Sequence, residues 1–147
     1  MVSRSNKIVL IEGPNLNLIE KRKEIYQSKQ SLNDILIKIS EFTNIDYYQS
    51  NTEGEIINKL QKSIFDDSVI GIIINPAGYT HYSVAISDTL EIISNKLKVE
   101  VHLTNLYKRE NFRKNSYTAQ NVDLVISGAG NYGYYLAAKY IVNNINI

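Results

Sequence analysis

The sequence predicts an α/β fold in which one parallel sheet is covered by helices on both faces. Short apolar runs alternate with longer amphipathic runs along the chain, as strands alternate with helices in such folds. The run at residues 69–74 is apolar throughout, as expected of a central strand that is buried on both sides. A chain of 147 residues has the usual size of one domain, so we expect residues 1–147 to form a single domain.

Two strands and two helices are predicted in the first half of the chain. The first strand, residues 8–11, ends at a turn made by Gly13 and Pro14. Ser31 is placed to cap the first helix, and Asp34 supplies the acidic residue that a first turn favours. The spacing of apolar residues predicts the remaining elements of this half: a helix over 31–42, a strand over 46–50 and a helix over about 52–65.

The second half continues the alternation with three more strands and two more helices. Apolar spacing predicts strands over 69–74, 98–103 and 123–127, and helices over 83–93 and 132–145. Residues 105–121 are too polar for a strand and too long for a minimal turn, and long irregular segments are often functional. Five strands joined by right-handed crossovers favour a flavodoxin-like three-layer sandwich with strand order 2-1-3-4-5.

The composition argues against several classes of function. A net charge of +1 lacks the basic surface that binding to nucleic acid or to an anionic membrane usually needs. The absence of cysteine excludes disulfides, thiolate catalysis and thiolate metal sites. No apolar run reaches the roughly 18–20 residues of a membrane span, and the first residues do not resemble a signal peptide. We therefore expect a cytoplasmic protein that acts on a small molecule.

The rarest residues fall at one predicted edge of the sheet, called the rim below: the residues that follow strands one, three and four. Ligands of open α/β sheets bind at this edge, near the point where the strand order reverses. Both prolines of the chain, Pro14 and Pro76, and both histidines, His81 and His102, lie there. Because histidine transfers protons near neutral pH and proline fixes a turn, the rim is the predicted active site.

Three further patterns in the sequence bear on cofactors and ligands. Residues 128–133 match the dinucleotide pattern G-x-G-x-x-G, but only 14 residues follow, too few for the strand and acidic residue that complete it. We therefore predict no nicotinamide cofactor, and two histidines 21 residues apart do not form a zinc motif. The cationic segment around Arg22 is either a solvated surface or a lid over an anionic substrate, in which the nearby Tyr26 is a candidate base.

Five motifs together resemble the type II 3-dehydroquinate dehydratases. They cover nearly the whole chain in the right order, and the second to fourth are long and specific. The motifs are GPNLNL at 13–18, YQSNTEGEIINKLQ at 48–61, IIINPAGYTHYSVAISD at 72–88, EVHLTNLYKRENFRKNSY at 100–117 and SGAGNYGYYLA at 127–137.

The resemblance implies a flavodoxin-like enzyme that removes water from 3-dehydroquinate to give 3-dehydroshikimate, without metal, cofactor or Schiff-base lysine. It implies trimers grouped into a homododecamer. By resemblance, Tyr26 takes a proton from C2 and Arg22 keeps its phenol ionised, while Asn15 helps to place the base or the enolate. His102 would protonate the departing C1 hydroxyl, and Glu100 would orient its ring.

The resemblance also assigns the contacts that hold the substrate. Asn75 would bind a water that stabilises the enolate oxygen, and His81 and Arg113 would hold ring hydroxyls. Asp88 would reach a site in a neighbouring subunit, and Arg109 would lie near the closed lid. The substrate carboxylate would be held by two backbone N–H groups, those of Leu103 and Thr104.

The lid departs from the pattern of the resembled family. Members commonly read L-G-x-R-E-P-x-x-Y-G, whereas residues 18–27 here lack the proline and both glycines and place Arg22 four rather than five positions before Tyr26. Tyr82 also stands where the family has threonine or serine. Two alternatives to an active dehydratase follow: a catalytically weakened homologue that binds dehydroquinate, or a flavin or phosphate carrier. The single glycine after strand one makes a poor phosphate cradle.

Overall fold

The computed structural model describes residues 5–22 and 28–145. All neighbouring strands pair in parallel, in the order β2-β1-β3-β4-β5, so the predicted fold class and strand order are confirmed. The strands are β1 (Lys7–Glu12), β2 (Asn44–Gln49), β3 (Val69–Asn75), β4 (Leu97–His102) and β5 (Leu124–Ser127). The helices are α1 (Leu32–Ser40), α2 (Glu53–Phe65), α3 (Val84–Ile92) and α4 (Tyr132–Asn144).

The hydrophobic core lies in two layers, one on each face of the sheet. Residues of α1 and α4 pack on one face, around Leu10 and Ile73. Residues of α2 and α3 pack on the other, around Ile72 and Ile74. Ile72, Ile73 and Ile74 of β3 are inaccessible to solvent, which is why this part of the strand shows no alternation in the sequence.

Local sequence signals explain where the helices begin. Ser31 caps α1 by accepting a hydrogen bond from the N–H of Asp34 at 3.1 Å, as predicted. Ser83 caps α3 in the same way through the N–H of Ile86 at 3.0 Å. Close packing also needs Gly71, because a Cβ there would lie 2.5 Å from Cγ2 of Ile141 in α4.

Two regions differ from the sequence prediction or add to it. The edge strand β2 begins at Asn44, two residues before the predicted start, because it is only half-buried and its sequence shows little apolar contrast. The polar stretch 105–121 folds into three short 3-10 helices, Leu106–Lys108, Asn111–Lys114 and Ala119–Asn121. Within the described residues, no helix combines the length and apolar character that crossing a bilayer requires.

Candidate active site

A cavity of about 750 Å³, including its open mouth, lies at the rim between the ends of β1, β3 and β4. Its walls are the turn after β1, the 3-10 turn Ala77–His81 after β3 and the segment after β4. The cavity is bordered by most of the predicted site residues, namely Asn15, Arg22, Asn75, His81, His102, Leu103, Thr104, Arg109 and Arg113. The strand order therefore brings these residues together from distant parts of the sequence.

His102 and Glu100 form a buried pair at the end of β4. Nε2 of His102 lies 2.7 Å from Oε2 of Glu100, and the two residues are 4% and 0% exposed. Because a carboxylate only accepts hydrogen bonds, Nε2 carries a proton, and Nδ1 is the nitrogen left for a ligand. A histidine oriented by a buried carboxylate is a common arrangement for proton transfer.

Three hydroxyl groups surround the same carboxylate; together they are called the hydroxyl cluster. Thr80 and Ser116 each lie 3.2 Å from Oε2 of Glu100, and Thr118 donates to Oε1. The hydroxyls of Thr80 and Ser116 are also 2.6 Å apart. These contacts supply the hydrogen bonds that a buried carboxylate requires, and they fix the side of Glu100 that faces His102.

His81 is held by the backbone of the polar stretch. Its Nδ1 lies 2.8 Å from the carbonyl oxygen of Asn115, so Nδ1–H donates and Nε2 is left as an acceptor. Burial lowers the pKa of His81 below its usual 6.5, and the nearby charge of Arg113 acts in the same direction. The ring is therefore neutral near pH 7 and can accept a hydrogen bond from a substrate hydroxyl.

Three arginines make the cavity electropositive. Arg113 pairs with Glu110 at 2.7 Å, and Nη1 of Arg109 lies 3.5 Å from the hydroxyl of Thr104. Nη2 of Arg109 is buried and has no hydrogen-bond partner among the described residues. With Arg22 at the end of the 3-10 helix Leu16–Arg22, these guanidinium groups suit an anionic ligand.

The two asparagines at the cavity are fixed by local contacts. Asn15 adopts a left-handed conformation with φ of 70°, and its N–H donates to Oδ1 of Asn51 at 3.0 Å. Asn75 is 2% exposed; its Nδ2 donates to the hydroxyl of Tyr134 at 3.0 Å, and its Oδ1 accepts from the N–H of Ala77 at 3.1 Å. The side-chain amide of Asn75 is therefore held in a defined orientation, whereas the contact of Asn15 fixes its backbone.

Among the described residues, two predicted site residues do not line this cavity, Glu100 and Asp88; Glu100 is fully buried against His102. Asp88 is exposed on α3 and lines a separate depression with Glu91 and Gln120. Tyr26 lies outside the described residues, in the gap between 22 and 28.

Sequence reasoning missed the hydroxyl cluster and the partners of Asn75. The residues involved are ordinary polar side chains, and Ser116 and Thr118 fall in a stretch that reads as a solvated loop. The one usable signal was Glu12, an acidic residue that directly continues the apolar run of the first strand. It accepts a hydrogen bond from Tyr134, the residue that contacts Asn75.

Comparison with known proteins identifies the family. A family model described as dehydroquinase class II matches residues 6–142. A 3-dehydroquinate dehydratase from Clostridium botulinum (strain Loch Maree / Type A3) is 46% identical over 147 residues, covering 97% of this chain and 98% of the relative. One from Thermotoga petrophila is 43% identical over 140 residues, covering 92% of this chain and 94% of the relative.

The fold comparison agrees with the sequence comparison. The crystal structure of type II dehydroquinase from Butyrivibrio crossotus DSM 2876 has a TM-score of 0.86 and 40% identity to this chain, covering 93% of this chain and 97% of that one. Since the family match spans most of the sequence and the fold agrees, the chain belongs to the class II dehydroquinase family.

Proposed function

We propose that the protein is a hydro-lyase that dehydrates 3-dehydroquinate to 3-dehydroshikimate. The observation that carries this proposal is the buried His102–Glu100 pair at the edge of a cavity bordered by arginines. Such a pair suits proton delivery to a leaving hydroxyl, and the cationic wall suits a substrate that carries a carboxylate. The activity named for the relatives from Clostridium and Thermotoga supports the same reaction.

The proposed mechanism passes through an enolate. The phenolate of Tyr26, kept ionised by Arg22, takes a proton from C2, next to the C3 ketone of the substrate. The electron pair moves to the ketone oxygen, which Asn75 and a bound water stabilise, while Asn15 helps to place the base or the enolate. The pair then returns, the C1–OH bond breaks, and His102, which enters this step as an imidazolium with its Nε2–H on Glu100, donates the Nδ1 proton that makes the leaving group water. Tyr26 and His102 then return to their starting states by proton exchange.

The remaining residues are proposed to hold the substrate. His81 and Arg113 would bind ring hydroxyls, and the backbone N–H groups of Leu103 and Thr104 would bind the carboxylate. Arg109 would support the closed lid, and its buried Nη2 without a described partner supports a role towards a ligand or the lid.

We further propose that the chain folds as one domain and is cytoplasmic. We also propose that twelve copies assemble into a homododecamer, a tetramer of trimers. Asp88 lies on the exposed face of α3, away from the cavity of its own chain, which supports its acting in a neighbouring subunit. Exposed apolar side chains nearby, Val84 and Ile92 on α3 and Tyr82 before it, support a contact surface there. Light scattering of the purified protein would give the mass of the assembly.

The proposed function is tested by mixing the purified protein with 3-dehydroquinate and following the ultraviolet absorbance of the conjugated enone product. We expect turnover, and we expect it to survive pretreatment with borohydride, which would trap an imine intermediate. Binding of 3-dehydroquinate in a calorimeter without turnover would instead favour the catalytically weakened homologue with the altered lid. If the protein neither converts nor binds 3-dehydroquinate, the proposal is contradicted.

His81 gives this enzyme a predictable pH dependence of KM. The pKa of His81 lies below 6.5, so protonation at lower pH converts the Nε2 acceptor into a donor, and a substrate hydroxyl can no longer donate to the ring. We expect KM to rise about 5-fold as the pH falls from 7 through the lowered pKa of His81, the equivalent of one hydrogen bond of about 1 kcal/mol. Because the folded protein binds this proton more weakly than an unfolded chain does, the free energy of unfolding also falls over that range.

The control for this pH dependence is His81→Asn, which has no ionisable ring. At pH 7 the KM of this variant is expected to be higher than that of the wild type. As the pH falls, its KM is not expected to show the further rise predicted for the wild type. Steady-state kinetics between pH 5 and pH 8 would decide the point, and parallel KM profiles for the two proteins would exclude His81 as the titrating group.

A further inference from the structure

The buried carboxylate of Glu12 has no part in the mechanism above, although it lies close to the cavity. Glu12 ends β1 and is 2% exposed. Tyr47 donates to its Oε1 at 2.6 Å, and Tyr134 donates to its Oε2 at 2.5 Å. No lysine or arginine of residues 5–22 and 28–145 forms an ion pair with it. Burying a carboxylate without a cation costs free energy, so stability alone does not account for this residue.

Tyr134 connects this carboxylate to Asn75. Its side chain is fully buried, and burial together with the charge of Glu12 holds its pKa well above the ordinary value of 10. The phenol therefore keeps its proton and donates it to Glu12. Its oxygen is then left to accept from Nδ2 of Asn75, at 3.0 Å.

The other end of the Asn75 amide is fixed as well. Oδ1 of Asn75 accepts from the N–H of Ala77, a residue held in the left-handed region with φ of 52°. Since Nδ2 carries two hydrogens and Tyr134 takes one, the second is the donor that remains for a ligand in the cavity. Burial raises the pKa of Glu12, but the phenols of Tyr47 and Tyr134 both donate to it and act against that rise. Because both of its oxygens accept, Glu12 sets the direction of the hydrogen bonds from Tyr134 to Asn75.

We propose that Glu12 and Tyr134 are positioning residues that orient the amide of Asn75, so that it presents an N–H rather than its carbonyl oxygen to the enolate oxygen or to the water bound there. This inference rests on the proposed dehydration. Charge that grows on the ketone oxygen is stabilised by hydrogen-bond donors already in place. A reversed amide would set a carbonyl oxygen against that charge and would bring its NH2 group against the N–H of Ala77.

Two matched tyrosine substitutions test the inference. Tyr134→Phe and Tyr47→Phe each remove one phenol donor from Glu12, but only Tyr134 also contacts Asn75. We expect Tyr134→Phe to lower kcat by about 10- to 100-fold with little change in KM, somewhat less than the roughly 10²–10³ lost with an entire oxyanion donor. Tyr47 is 38% exposed and water can replace its contact, so we expect Tyr47→Phe to stay within about threefold of the wild type.

A second pair acts on the carboxylate itself. Glu12→Gln keeps one acceptor oxygen for Tyr134 and can turn its NH2 group towards the half-exposed Tyr47, so kcat is expected to stay within about threefold of the wild type. Glu12→Met has a similar length but no acceptor oxygen, so the hydroxyl of Tyr134 is free to donate to Asn75, and kcat is expected to fall about 10- to 100-fold. Circular dichroism of each variant gives the folded fraction used to normalise kcat. If Tyr134→Phe does not fold, the Glu12 pair decides.

The outcomes separate this inference from the function on which it rests. If the wild type does not convert 3-dehydroquinate, the proposed function and this inference both fall. If the wild type is active but the two tyrosine variants have equal kcat, or Glu12→Met matches Glu12→Gln, only the positioning role is overturned.

Discussion

Replacing His102 by glutamine is expected to lower kcat by about 10²–10⁴, the usual contribution of a positioned general acid or base. Glutamine keeps a donor for Glu100 and much of the side-chain volume, but it cannot deliver a proton to the leaving hydroxyl at neutral pH. KM is expected to change little, because the residue is proposed to act on the leaving group. Steady-state kinetics with 3-dehydroquinate would measure both constants.

Hydrogen exchange at C2 identifies the step that this variant loses. If His102 acts only at elimination, His102→Gln still forms the enolate, and substrate recovered from D2O gains deuterium at C2 as measured by mass spectrometry. Incubation without enzyme gives the background rate. Loss of exchange together with turnover would show that His102 is needed before elimination, and kcat within tenfold of the wild type would exclude it as the general acid.

Glu100 is expected to act through His102, and a double-mutant cycle tests this. Glu100→Gln offers one acceptor oxygen to the hydroxyl cluster and the imidazole, so it should lower kcat in the wild type by misplacing the ring. In the His102→Gln background the same change should have little further effect on kcat, because residues that act as a unit are not additive. Additive losses would assign Glu100 a separate role.

The alternation of apolar runs was sufficient to predict the fold, because each strand and helix buries a face whose period is visible locally. The cap at Ser31 was predicted for the same reason, since Asp34 lies only three residues away. The start of β2 was less well predicted, because an edge strand that is half-exposed carries little apolar contrast. Short-range patterns thus specify elements better than they specify exposed boundaries.

The candidate site was predictable where it follows from strand order, and unpredictable where it depends on distant packing. The positions of His102 and Asn75 follow from their places at the ends of buried strands. Glu12, by contrast, meets Tyr134 across 122 positions of sequence, and a single sequence does not indicate which polar residue will be buried against which helix. The hydroxyl cluster was missed for the same reason, since its burial depends on how the polar stretch folds back onto β4.

Replacing Tyr26 by phenylalanine is expected to lower kcat by about 10²–10⁴, and unlike His102→Gln it should also abolish C2 exchange in D2O. The change removes the only atom that would take the C2 proton and keeps the ring. Arg22→Gln is expected to move the acid limb of the kcat profile to higher pH, because the phenolate loses the cation that favours it. Tyr107→Phe is the matched control, since that side chain is 73% exposed and has no proposed role.

The altered spacing of Arg22 and Tyr26 makes Tyr26→Phe the most informative of the variants. Arg22 lies one position nearer to Tyr26 than the arginine of the resembled pattern does, a difference of up to about 3.5 Å along the chain, and a misplacement of about 1 Å can cost on the order of a hundredfold in rate. If the wild type turns over no faster than Tyr26→Phe, the lid does not bring the phenolate of Tyr26 to C2. If the variant retains wild-type turnover, another residue takes the C2 proton. If turnover is lost only in the variant, the altered segment still brings the phenolate to C2, and the family's spacing of arginine and tyrosine is not required for it.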